Sequence, residues 1–144
     1  MPLTPRARSL CWHGLVMFFE GLVAGALVPA FANSRMGLSV HLAGVQTGTA
    51  LVMLGLLWKH VALSERAEGF AALGNVASAW MILAALALAG IFGTSRSTPL
   101  AGAGFRGAEW QELLVSALLF PGSALMLAAW GAVLRGFHAS VARR

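Results

Sequence analysis

The chain contains no tyrosine, and all five of its acidic residues are glutamate, so it has no aspartate either. Neither a phenol nor a Ser-His-Asp relay can take part in its chemistry. Its single cysteine, Cys11, excludes an internal disulfide and any thiolate-held zinc or iron–sulfur centre, each of which needs several cysteines. Charge is scarce as well: 10% of the 144 residues are Asp, Glu, Lys or Arg, where a soluble domain carries about a quarter. Apolar residues fill the space. They make up 58% of the chain, and the mean hydropathy of +0.78 is that of a membrane protein. The formal net charge of +5 comes from basic residues scattered at the edges of apolar runs, a pattern that fits membrane topology better than nucleic-acid binding. No phosphate-binding loop with its lysine and no paired-histidine zinc spacing occurs.

A spanning helix needs ~20 mostly apolar residues at ~1.5 Å rise. Four stretches qualify, at residues 10–31, 40–63, 70–93 and 109–134. They predict an all-α, integral-membrane four-helix bundle occupying residues 1–144 as one domain. With four spans both termini share a side. That side would hold Arg6, Arg8, Lys59, Arg66, Arg135, Arg143 and Arg144, against Arg35, Arg96 and Arg106 on the other, so the positive-inside rule assigns both ends to the cytoplasm. Trp12, Trp58, Trp110 and Trp130 lie near span ends, as interfacial anchors should. Arg6, Arg8, the first apolar run and Ala30-Phe31-Ala32 imitate a cleavable secretory signal. The run is too long for one and contains Glu20, which favours a retained span. The third link, residues 94–108, is rich in Gly, Ser and Arg and long enough to act as a lid over a pocket mouth.

Helices in lipid associate through small residues and a few polar contacts. On the second span His41, Gly44, Gly48, Leu51 and Gly55 share one face. That face suits either another backbone or a planar cofactor. Ionisable groups inside spans are functional candidates. Glu20, near mid-depth on the same face of the first span as His13, is either a protonated hydrogen-bonding group or a carrier of protons or substrate. His13 and His41 lie ~25 Å apart in depth at helical rise, which excludes a haem held by both within one chain. Any haem would have one protein ligand and an open face, unless a second subunit supplied another; an open face means ligand chemistry rather than electron transfer. Asn33, Ser34, Arg35, His41, Gln46, Thr47, Glu109, Gln111 and Glu112 cluster where the second and fourth spans begin, beneath the third link, and form the expected pocket. Glu109 and Glu112 also suit the first turn of a helix, where negative charge complements the dipole. Pro121 predicts a kink in the fourth span, and Asn75 reads as interhelical glue.

The run from Asn33 to Val45, NSRMGLSVHLAGV, preceded by Val28-Pro29-Ala30-Phe31-Ala32, resembles the hydroxylaminobenzene mutase family. His13-Gly14, the Gly21-Leu22 and Gly25 pattern, and Glu109-Trp110-Gln111-Glu112 extend the resemblance over most of the chain. It implies an isomerase that rearranges aryl hydroxylamines to aminophenols in the bacterial inner membrane, without external oxidant or reductant. The family is distantly similar to styrene oxide isomerase, a four-helix membrane enzyme that assembles as a trimer and binds haem b between subunits through a histidine at the start of its second span. His41 stands at that position. The resemblance therefore implies a homotrimer with ferric haem b on His41, acting as Lewis acid on the N–O oxygen, with Gly44 and Gly48 beside the haem and Arg35 on a propionate. Gln46 and Thr47 would orient the substrate, and Glu20, Glu109 or Glu112 would move a proton. The isomerase carries an Asn six residues after its haem histidine, and an Asp and a Tyr in the third span. Here the sixth residue is Thr47, and Asp and Tyr are absent, which favours the mutase over epoxide isomerisation. Two readings from other classes stand beside it: a proton-coupled exporter resembling the small multidrug resistance family and using Glu20, and a membrane subunit without catalysis.

Overall fold

The computed structural model describes residues 3–142, so Arg143 and Arg144, counted above for topology, lie outside the described residues. Helix α1, Pro5–Ala26, starts where the Thr4 hydroxyl accepts from the Ala7 N–H and Pro5 takes the first helical position. It gives way to a single 3-10 turn, Val28–Ala30, at Pro29. Helix α2, Ser34–Leu57, is capped by Asn33, whose side-chain oxygen accepts from the Arg35 and Met36 N–H groups, and it tightens into a second 3-10 turn, Trp58–His60. Helix α3, Glu65–Phe92, ends at Gly93, held in the left-handed region at φ 66°. Helix α4, Glu109–Val141, runs unbroken through Pro121.

All four helices are long and apolar enough to cross a membrane, and the chain is a multi-pass membrane protein. Helices α1, α2 and α3 each begin five or six residues before the corresponding hydropathy span. Capping residues start a helix, and the polar first turn that follows lies outside an apolar window.

The helices pack as two antiparallel hairpins, α1 with α2 and α3 with α4, joined mainly through α2 and α3. Along the first hairpin backbone meets backbone. A Cβ placed on Gly48 would lie 2.6 Å from the Gly14 carbonyl oxygen, and one on Gly44 would lie 2.7 Å from Gly21 Cα. The face suggested above as a cofactor surface is therefore filled by α1, and Gly44 and Gly48 serve helix packing. Gly55 continues the seam against Ala7 and Cys11. In the second hairpin Gly74 receives Ala129, and Gly122 receives Met81 and Ile82. Met17, Val40, Leu51, Leu54, Ala79 and Leu83 form the shared core between the hairpins. At one end Arg6 pairs with Glu68 at 2.8 Å, and the Ala62 N–H donates to the Gly136 carbonyl. The chain's N-terminal segment, the α2–α3 link and the last turns of α4 thus share that end, as an even number of passes requires.

Candidate active site

The opposite end is organised by two buried side chains. Asn33, besides capping α2, donates from Nδ2 to the Ala101 carbonyl at 2.9 Å, while its backbone N–H donates to the Gly90 carbonyl. It joins the α1–α2 link, the end of α3 and the third link. Glu112 lies buried in the first turn of α4, and its carboxylate accepts from the backbone N–H groups of Ser95, Arg96 and Gly107 at 2.9–3.3 Å. Exposed Glu109 takes the Arg96 guanidinium at 2.6 Å. The Gln111 side chain accepts from the Ala108 N–H, and Arg35 donates to the Ala103 carbonyl. Residues 94–108 do fold back over the ends of α2 and α4, but as a fastened cover. Glu109 and Glu112, expected to move protons, are engaged in fastening it.

The expected outer pocket therefore separates into three places. Asn33, Arg35, Glu109, Gln111 and Glu112 hold the cover. His41 belongs to the first hairpin. In the second turn of α2 its Nδ1 lies 2.8 Å from the Gly21 carbonyl oxygen of α1. A carbonyl only accepts, so Nδ1 carries the proton and the Nε2 lone pair is left available. Gly25 makes the space: a Cβ there would stand 2.6 Å from Nδ1. The ring is half-buried at the α1–α2 surface. An imidazole that donates one N–H to a backbone carbonyl and presents its other nitrogen is the form in which histidine binds a metal. One haem iron fits this donor. The Gly21 carbonyl carries no mark in the sequence, although the glycine spacing on α1 does.

Gln46 and Thr47 face the third place, a cavity of about 220 Å³ between α2, α3 and α4 that is also lined by Ala50, Leu51, Asn75, Met126 and Trp130. Six residues of helix turn Thr47 ~120° from His41, and the two do not meet within one chain. Asn75 makes no interhelical bond. Its Nδ2 donates to the Ala71 carbonyl of its own helix, and its buried Oδ1 has no partner. Glu20 is exposed on α1 beside an apolar groove of about 310 Å³ that includes Phe31, Val40, Trp80 and Leu83. Sequence reasoning missed that His13, lower on α1, accepts from Trp80 Nε1 at 3.2 Å; no spacing in the chain predicts this pair.

Four membrane-length helices seamed by glycine, with one histidine bonded to a backbone carbonyl on the flank, define a small multi-pass membrane protein. The chain belongs to the styrene oxide isomerase family, whose profile matches residues 6–138. Among its relatives, hydroxylaminobenzene mutase HabB of Ectopseudomonas oleovorans is 39% identical over 97% of this chain and 86% of its own length. Hydroxylaminobenzene mutase HabA of the same organism is 33% identical over 74% of this chain and 80% of its own. No solved structure matches. The chain is accordingly an isomerase of the mutase type, as the motif around His41 predicts, and the exporter and the non-catalytic subunit give way to an enzyme.

Proposed function

We propose that this isomerase converts aryl hydroxylamines to aminophenols in a bacterial inner membrane, with both termini cytoplasmic and haem b held by His41. The observation that carries the reading is the 2.8 Å contact of His41 Nδ1 with the Gly21 carbonyl, which leaves Nε2 to a ligand, on a chain similar to two hydroxylaminobenzene mutases. The reaction moves a hydroxyl group from nitrogen to a ring carbon: the N–O bond breaks, a C–O bond forms, and a ring proton is exchanged for one on nitrogen. No electrons enter or leave. Ferric haem b, when bound, supplies a Lewis acid toward the N–O oxygen. The remaining work falls to the chain's own residues. Gln46 and Thr47 orient the hydroxylamine, and the apolar walls around them keep water from the cationic ring. Glu20 is the carboxylate left free to take the ring proton, since Glu109 and Glu112 are engaged elsewhere. Arg35 spends one of its five donors on the Ala103 carbonyl and keeps others for a propionate.

His41 and Thr47 lie on different faces of α2, so a site using both is assembled between copies. Such a head-to-tail contact makes a ring when its rotation closes, and a homotrimer is the proposed assembly. The test is His41→Ala in the purified membrane protein. Wild type is expected to show a haem absorption band and to turn hydroxylaminobenzene into aminophenol, and the variant to lose both. Full activity and an unchanged band in the variant would refute the assignment.

A further inference from the structure

On the side of the bundle that holds the termini, three helix ends meet at one level: the first turn of α1, the 3-10 extension of α2 and the first turn of α3. Between them opens a basin of about 460 Å³ whose lining includes Thr4, Arg6, Trp58, Lys59 and Glu68. Hydrogen-bond donors are in excess there. Arg6 gives one N–H to Glu68 and one to the Glu65 carbonyl, and keeps the rest of its five. Lys59 is exposed and pairs with no carboxylate among the described residues. The Thr4 oxygen accepts from the Ala7 N–H, which leaves its hydroxyl proton to give. Two cations stand against one carboxylate, so the lining carries one net positive charge.

From Arg6 a furrow of about 250 Å³ leads inward between α1 and α3, walled by Leu10, Ala72, Leu73 and Val76 and closed at its inner end by His13. Hydrogen bonds bridge the two helices only at its ends, from Arg6 to Glu65 and Glu68 and between Trp80 and His13. Small residues keep it open: a Cβ on Gly69 would meet only the Arg6 guanidinium, at 3.9 Å. Arg6 and His13 are seven residues apart, ~10 Å at helical rise. A donor-rich basin at the membrane surface, continued by an apolar furrow into the hydrocarbon, matches an amphiphile with an anionic head. Free phosphate would leave the furrow unused.

We propose that this site holds one anionic phospholipid of the leaflet on the terminal side, its phosphate among Lys59, Arg6 and the Thr4 hydroxyl and one acyl chain in the furrow toward His13. The chain fills the space between α1 and α3, and so fastens the first hairpin to the second. None of the residues assigned to the reaction takes part, so the inference stands apart from the proposed function.

The experiment titrates delipidated, detergent-purified protein with dioleoyl phosphatidylglycerol or dioleoyl phosphatidylethanolamine, read by native mass spectrometry and by thermal unfolding. Wild type is expected to bind one phosphatidylglycerol per chain about fivefold more tightly than phosphatidylethanolamine, the worth of one basic group near a lipid surface. Its unfolding temperature is expected to rise with that occupancy. Lys59→Gln is expected to erase the preference. Arg135→Gln, which removes an exposed basic residue of the same end but outside the basin, is expected to keep it. Gly69→Leu fills the furrow from open space, and is expected to weaken both lipids severalfold without lowering the unfolding temperature of the delipidated protein. Glycerol phosphate, a head without chains, is expected to leave that temperature unmoved. Equal binding of the two lipids by wild type overturns the proposal, as does a preference lost equally in Lys59→Gln and Arg135→Gln. Lipid binding untouched by Gly69→Leu also overturns it, and stabilisation by glycerol phosphate equal to that by the lipid would reveal a free-phosphate site in its place.

Discussion

Replacing Gly48 by alanine tests whether the α1–α2 seam is as close as described. The new Cβ would lie 2.6 Å from both the Gly14 oxygen and the Phe18 nitrogen, where ordinary contact begins at 3.4 Å. Both obstacles are backbone, so no side chain can swing aside, and the helices must part by about 0.8 Å at that level. A gap of this order forfeits roughly a quarter to a half of each contact along the seam, and overpacking of this kind costs about 1–3 kcal/mol. Alanine's better helix propensity returns up to ~1 kcal/mol, leaving a net loss of up to about 2 kcal/mol. Gly131 of α4 provides the control, because a Cβ there meets nothing within 4 Å. Gly131→Ala is expected to be neutral or to stabilise by up to ~1 kcal/mol. Thermal unfolding of both variants in one detergent decides the matter. A Gly48→Ala protein as stable as wild type, or a Gly131→Ala protein less stable than Gly48→Ala, would show that the helices are not in backbone contact there.

Gly25→Ala is expected to push the His41 ring off the Gly21 carbonyl and weaken the haem band, with little change in unfolding temperature, since only a side chain needs to move. Glu112→Ala leaves three backbone N–H groups without their acceptor and is expected to destabilise by on the order of 3 kcal/mol. Glu109→Ala, at the exposed pair, is expected to leave the unfolding temperature unchanged; thermal melts compare the two. Glu20→Gln is expected to retain fold and absorption band while kcat falls roughly a hundredfold, the usual contribution of a positioned proton acceptor. An unaltered kcat removes Glu20 from the proposed chemistry.

The spans were legible because apolar length is written directly in the chain, whereas their starts were displaced by polar first turns that hydropathy cannot see. Asn33 as a cap was there to be read. His41 stood out by motif, yet its partner is a main-chain carbonyl, which no residue type announces. Gly44 and Gly48 were open to two readings until α1 supplied Gly14 and Gly21 opposite them. The carboxylates at the head of α4 drew attention as chemistry and proved to be fasteners, because their partners, backbone amides for Glu112 and the Arg96 guanidinium for Glu109, lie in a link without periodicity. Asn75 was expected to bond across helices and bonds its own instead, because which carbonyl an amide finds is settled only in three dimensions.

The pairing of helices into two hairpins, each with its own seam, bears on biogenesis. Each half completes its own seam before the other is needed, so a translocon releasing helices in order can deliver α1–α2 as a finished unit and dock α3–α4 on it afterwards. A gene split at the short turn before Ser64 should therefore still yield a working enzyme from two separately translated pieces.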